Sequence, residues 1–153
     1  MGTWAAFEAS APEMADAGRR LLYQSTDGVG LGYLATVRAD GGPRVHPVCP
    51  HIAEGFLWVF VGAPAPKRQD LLRDPRYALH TMCPPDVDDE FYVTGRALPC
   101  TDVALIARVR AGLPFNSDDD DQPFLLDIER ALWAKYEKRP QWPPVYTKWR
   151  SPL

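Results

Sequence analysis

From residue 32 to residue 61 the sequence runs GYLATVRADGGPRVHPVCPHIAEGFLWVFV, and two turn signals inside it constrain the fold more than any other feature of the chain. Asp40-Gly41-Gly42 and Glu54-Gly55 place glycine at tight reversals, where positive φ costs it little, between runs rich in β-branched and aromatic residues. They predict three strands, at about 32–38, 44–52 and 56–61, joined by hairpins into an antiparallel meander. Connections this short cannot carry the crossover that a parallel sheet requires.

The remaining segments extend that pattern. Ser10-x-x-Glu13 reads as a capping box opening an amphipathic helix to about Gln24, with Met14, Ala17, Leu21 and Leu22 on one face. A short helix starts near Pro66, since proline suits a first turn, and Asp74-Pro75 stops it. RYALHTM and DEFYVTGRALP read as the fourth and fifth strands, and Thr101 as the cap of a second short helix over DVALIARVRAG. Residues 116–122 read as a mobile acidic loop, and the four carboxylates of Asp118 to Asp121 place it away from any anion site. FLLDIERALWAKY and PPVYTKWR close the chain as strands, the first with a helix from about Ile128 as the alternative. The pattern is a mainly β chain in a single domain over residues 1–153, with a helical region over 1–27 and six or seven short strands suited to a small antiparallel barrel.

A net charge of -3 provides no basic field for nucleic acid or anionic lipid, so any anion site must be local. Three cysteines without a CxxC pair suit a reducing cytoplasm, and neither a secretory leader nor a run of about 20 apolar residues for a membrane span is legible. The glycines of DGVGLGYL precede a strand instead of opening a helix, which excludes the dinucleotide fingerprint. His51 and His80 lack partners at metal-ligand spacing, and no metal site is expected.

Lys67 and Arg68 stand in the first turn of the helix from Pro66, where the helix dipole favours anions. Either they are solvated cations on a loop, paired with Asp70 or Asp74, or a bound anion accompanies them. Arg44, brought towards the same loop by the hairpins, favours the second reading, because three converging cations suit a phosphate. His46 has Pro47 beside it, and a residue without an N–H inside a strand marks either a plain sheet edge or a flat ligand lying against it.

LGYLATVRADGGPRVHPV, the strand GFLWVF and PKRQDLLRDPRYAL follow one another in an order and spacing that resemble the pyridoxamine 5′-phosphate oxidase-like family, the flavin-binding split barrels. The resemblance implies an antiparallel split barrel with helices at its rim and a homodimer holding flavin mononucleotide (FMN) in the cleft between subunits. By position it makes Arg44 and Lys67 phosphate ligands, with Arg68 compensating for an arginine of the family that is Pro66 here. Val45, His46, Pro47 and Val48, together with Val59, Phe60 and Val61, border the flavin ring in this reading, and Trp149 and Arg150 complete the cofactor-binding set. The implied activity is FMN-dependent oxidation or reduction of an unidentified small molecule, with the redox step carried by the cofactor and no catalytic side chain assigned. Related split barrels use a deazaflavin or sequester flavin or haem, and a basic loop suits each. Cys49 stands where the vitamin B6 oxidase has a lysine, and no Arg-x-His motif lies near the C-terminus, so oxidation of pyridoxamine phosphate itself is not implied.

Overall fold

The computed structural model describes residues 1–86, 88–136 and 143–152. Their order is α1 (Trp4–Ser10), α2 (Pro12–Leu22), β1 (Gly32–Val37), β2 (Pro43–Val48), β3 (His51–Ala53), β4 (Phe56–Val61), α3 (Pro66–Arg73), β5 (Arg76–Thr81), β6 (Glu90–Pro99), α4 (Val103–Ala111), β7 (Gln122–Lys135) and β8 (Val145–Arg150). Every pairing is antiparallel, in the order β2-β1-β5-β6-β7-β4-β3, with β8 on the C-terminal half of β7. This is a mainly β, curled split-barrel sheet with short helices. Among the described residues it has eight strands where six or seven were expected.

The additional strand comes from the second run, which breaks at Cys49-Pro50 into β2 and β3. Pro47 and Pro50 have no N–H to donate, so this run cannot ladder continuously along a second edge. The expected meander fails for the same reason. β1–β2 and β3–β4 are hairpins, but β4 pairs with β7 and not with β2. The segment left open between strand and helix is a strand throughout, because β7 is paired over its whole length: with β4 at its start, β6 along its middle and β8 at its end.

Two helices precede the sheet instead of one. Thr3 caps α1, its Oγ1 accepting the Ala6 N–H at 3.1 Å. Ser10 closes α1, its hydroxyl donating to the carbonyls of Ala6 and Phe7, and the cap position of α2 falls on Ala11 with Pro12 in the first turn. The expected capping box is therefore absent, since Ser10 is already engaged backwards. Asp102, not Thr101, caps α4 by accepting the Leu105 N–H at 3.0 Å.

The main core is gathered beneath α1 and α2, whose Trp4, Phe7, Met14, Leu21 and Leu22 pack on Leu34, Leu79, Phe91, Val93, Phe124 and Ile128 of the sheet. Burying side chains of this size stabilises by about 1.5–3 kcal/mol each. A smaller cluster of Trp58, Cys100 and Val109 lies under α4. None of the helices among the described residues is long and apolar enough to cross a membrane.

Gly95 marks a bulge in the β6–β7 ladder. Thr94 pairs with Arg130 and Gly95 with Ile128, which leaves Glu129 as the extra residue. A Cβ on Gly95 overlaps the Asp127 carbonyl oxygen, a backbone atom that cannot swing aside. Gly95→Ala is therefore expected to destabilise the fold by about 1–3 kcal/mol through forced backbone movement, read as a lower urea midpoint. An unchanged midpoint would mean that the bulge tolerates a side chain and does not set the path of β7.

Candidate functional site

Helix α3 carries Lys67 and Arg68 in its first turn and meets Arg44 through Asp70. It follows β4 after a short loop, starts with Pro66 in its first turn, and has no side chain capping its N-terminus. Lys67 is half-buried there, and loss of solvent pushes its amine below the usual lysine range. Among the described residues no carboxylate lies within ion-pair distance of it.

One turn further along, Asp70 is buried at 3% exposure. Its Oδ2 accepts the Arg44 Nε–H at 2.6 Å and the Thr36 hydroxyl at 2.9 Å, and its Oδ1 accepts from Arg73 Nη2 at 3.2 Å. Arg73 Nη2 also donates to the Val37 carbonyl at 2.7 Å. Burial alone raises the Asp70 pKa, but hydrogen bonds from Arg44, Thr36 and Arg73 outweigh it and hold the carboxyl below its usual value. Residues three apart are neighbours on a helix surface, so Lys67 and the Arg44–Asp70 pair share one side of α3. Arg44 reaches this place from β2, as expected, though its neighbour is the helix and not β4.

The strands nearby have open edges. Among the described residues β2 pairs only with β1, and residues 59–61 of β4 pair only with β7, since β3 ends opposite Trp58. Val45 is 58% exposed and Pro47 is exposed beside Tyr33, whereas His46 is half-buried and Val48 is buried on the opposite face. Val59 and Val61 are sealed in the core, so only their main chain is available along the open edge. Phe60 turns towards α4, stacked on Trp58 and beneath the Arg110 guanidinium.

Two expectations from the sequence meet a different arrangement. The acidic loop does not lie away from the cations: Arg68 Nη1 donates to the Asp120 carbonyl at 2.9 Å, and Arg110 Nη2 to the carbonyls of Asp118 and Asp121. The run presents main-chain acceptors to these arginines as well as charge, and its charge alone suggested avoidance. Arg68 is thereby committed to the loop, which leaves Lys67 and the Asp70-bound Arg44 as the remaining two of the three cations. Trp149 and Arg150 do not reach the same place within one chain, because β8 is separated from β2 by β7, β6, β5 and β1. Trp149 packs edge-on to Phe7 at 4.9 Å and donates to Ser10 Oγ, while Arg150 stands opposite Arg130. Trp133 and Trp149 thus pack against this chain's own core.

The sequence offered Asp70 only as a surface partner for Lys67 and Arg68, and its burial with Arg44 and Thr36 was missed. As an acidic residue inside a short helix it resembles an ordinary solvated position, and only the packing of α3 onto β1 and β2 buries it. The available signal was its spacing of three from both Lys67 and Arg73.

No known family profile matches the sequence, and no curated protein matches it. Solved structures do. A haem-binding protein from Mycobacterium smegmatis superposes with a TM-score of 0.64 at 20% identity, over 86% of this chain and 55% of that one. This chain thus spans about half the length of that protein. A protein of the pyridoxinephosphate oxidase family from Clostridium acetobutylicum, related to general stress protein 26, superposes with a TM-score of 0.65 at 12% identity, over 91% of this chain and 94% of that one. A NimC/NimA family protein from the same organism gives 0.62 at 15% identity, over 86% and 94%. At such identities the likeness is one of fold: the chain has the split-barrel architecture of the pyridoxamine 5′-phosphate oxidase-like proteins.

The Asp70 network has a pH signature. A carboxyl depressed in the folded state contributes its stability fully above the unfolded pKa, about 3.9, and loses it as pH falls through the lower folded value. The difference in urea midpoint between wild type and Asp70→Asn is expected to stay level from pH 7 to about 5 and to shrink below about 4. A gap that closes between pH 7 and 5 would contradict the depressed carboxyl.

Proposed function

We propose that this chain is an FMN-binding oxidoreductase subunit acting on a small molecule, and that it works as a homodimer. The observation that carries the reading is Lys67: a half-buried amine at an uncapped helix start, without an ion-pair partner among the described residues, and one turn from the Asp70 that holds Arg44 at its Nε. Partly desolvated cations of this kind suit an anion with several acceptor oxygens, and the phosphate of a flavin mononucleotide supplies one. Lys67 and Arg44 would hold that phosphate. The edge of residues 59–61 that faces away from β7 and the edge of β2 would offer hydrogen-bonding groups for the polar rim of the ring.

When bound, the flavin supplies hydride-transfer chemistry, and the chain contributes placement and the local field. No catalytic side chain is assigned. The face carrying exposed Tyr33, at 44%, and Val45 offers apolar area to a second copy. A partner subunit is also the way for Trp149 and Arg150 of one chain to approach the site of another, since they cannot do so within their own.

A second reading is favoured by one observation, the similarity in fold to a haem-binding protein. The absorption spectrum of the purified protein separates flavin, deazaflavin and haem by their distinct bands.

Replacing Lys67 with Ala is expected to weaken FMN binding by about 1.5–3 kcal/mol, roughly ten- to a hundredfold, with riboflavin binding nearly unchanged because it lacks the phosphate. Fluorescence titration of both ligands checks this. Equal losses for the two would indicate a disturbed pocket, and no loss for FMN would make Lys67 a solvated cation. Sedimentation at micromolar concentration is expected to give twice the chain mass, and a monomer would refute the dimer.

A further inference from the structure

Asp70 is the buried carboxylate beside this cation group, and its bonds are unevenly distributed. Arg44 is held through Nε only, which leaves both of its terminal nitrogens without a protein acceptor among the described residues. Thr36, 3% exposed, donates to the same Oδ2 and fixes that oxygen from the strand side, while Arg73 anchors Oδ1 and is itself tied to the Val37 carbonyl. One carboxylate thus serves two guanidiniums, with the unpaired Lys67 a turn away, and the cluster keeps an excess of positive charge.

We propose that Asp70 is a positioning residue of the anion site: by fixing the Arg44 guanidinium at Nε it presents the two terminal nitrogens, already ordered, to phosphate oxygens. This rests on the reading of the site as phosphate-binding. An arginine side chain loses considerable rotamer freedom when it engages a ligand, and a carboxylate that holds the side chain beforehand removes that cost from binding. Charge alone predicts the opposite sign. A carboxylate near a dianion repels it, so removing Asp70 tightens binding if the residue acts only through its charge. Removal loosens binding if the residue acts through the position of Arg44.

The test measures FMN and riboflavin affinity by fluorescence titration for wild type, Arg44→Ala, Asp70→Ala and the double variant, with thermal melting to verify folding. Asp70→Asn, which keeps the shape and one acceptor oxygen, serves if Asp70→Ala does not fold. Asp70→Ala is expected to weaken FMN binding roughly five- to tenfold, leave riboflavin unchanged, and cost nothing further once Arg44 is absent. FMN binding that is unchanged or tighter in Asp70→Ala overturns the proposal while leaving the phosphate reading intact. An equal loss for riboflavin, or a loss that persists without Arg44, makes Asp70 a structural staple and also overturns it. If wild type binds no FMN, or if Arg44→Ala leaves FMN affinity unchanged, the phosphate reading fails and this proposal falls with it.

Discussion

The β6–β7 ladder joins two halves that have little other reason to meet. On one side stand β2, β1, β5 and β6; on the other, β4 with β3, and β8. Ten Cα pairs run from Glu90↔Ala134 to Pro99↔Phe124, interrupted only at Gly95. At that bulge the outer side of β7 receives the N-terminus: the Gly2 N–H donates to the Asp127 carboxylate, and the Ile128 N–H donates to the Gly2 carbonyl at 2.8 Å. Bulges increase local twist and bend the bulged strand, which suits a strand that must pair with β4 at one end and β8 at the other. The curl of the sheet and the seating of α1 therefore depend on one position without a side chain.

With the curl in place, the helices have defined roles. α1 and α2 close the apolar side through Trp4, Phe7 and Met14, and α4 covers the smaller cluster around Trp58. α3 is different, since its contact with the sheet is polar as well as apolar. Leu71 enters the core while Asp70, its neighbour in sequence, carries Thr36, Arg44 and Arg73. Breaking such a network leaves unpaired buried groups, so the helix is held in orientation as well as in place. Orientation matters for the proposed site, because Lys67 is useful only if its amine and the Arg44 terminus face the same ligand.

The acidic loop adds a condition on that site. Arg68 and Arg110 draw its carbonyls inwards, and Asp118, Asp120 and Asp121 hold carboxylate oxygens within 4.8 Å of one another beside the start of α3. Their repulsion of a dianion is partly screened over about 8 Å at physiological salt. The unpaired Lys67 and the free end of Arg44 are the groups that offset it.

Local features were legible without the structure wherever short-range chemistry decides the outcome. The Asp40-Gly41-Gly42 and Glu54-Gly55 reversals formed as read, with Gly41 and Gly55 at φ of 82 and 77. Pro66 opened α3, and Lys67 was recognisable as an odd cation at a helix start. Pairing between distant segments was not legible: nothing in the composition of GFLWVFV names β7 as its partner, because the two strands lie far apart in the chain. The same limit hid α1, whose seven residues are too few for a periodic signal, and Asp70, whose burial exists only once α3 packs on β1 and β2. Turn chemistry and helix ends belong to neighbouring residues and so were determined by the sequence alone. Strand order, the burial of Asp70 and its bond to Arg44 were decided only by tertiary structure, because each depends on groups brought together from far apart in the chain.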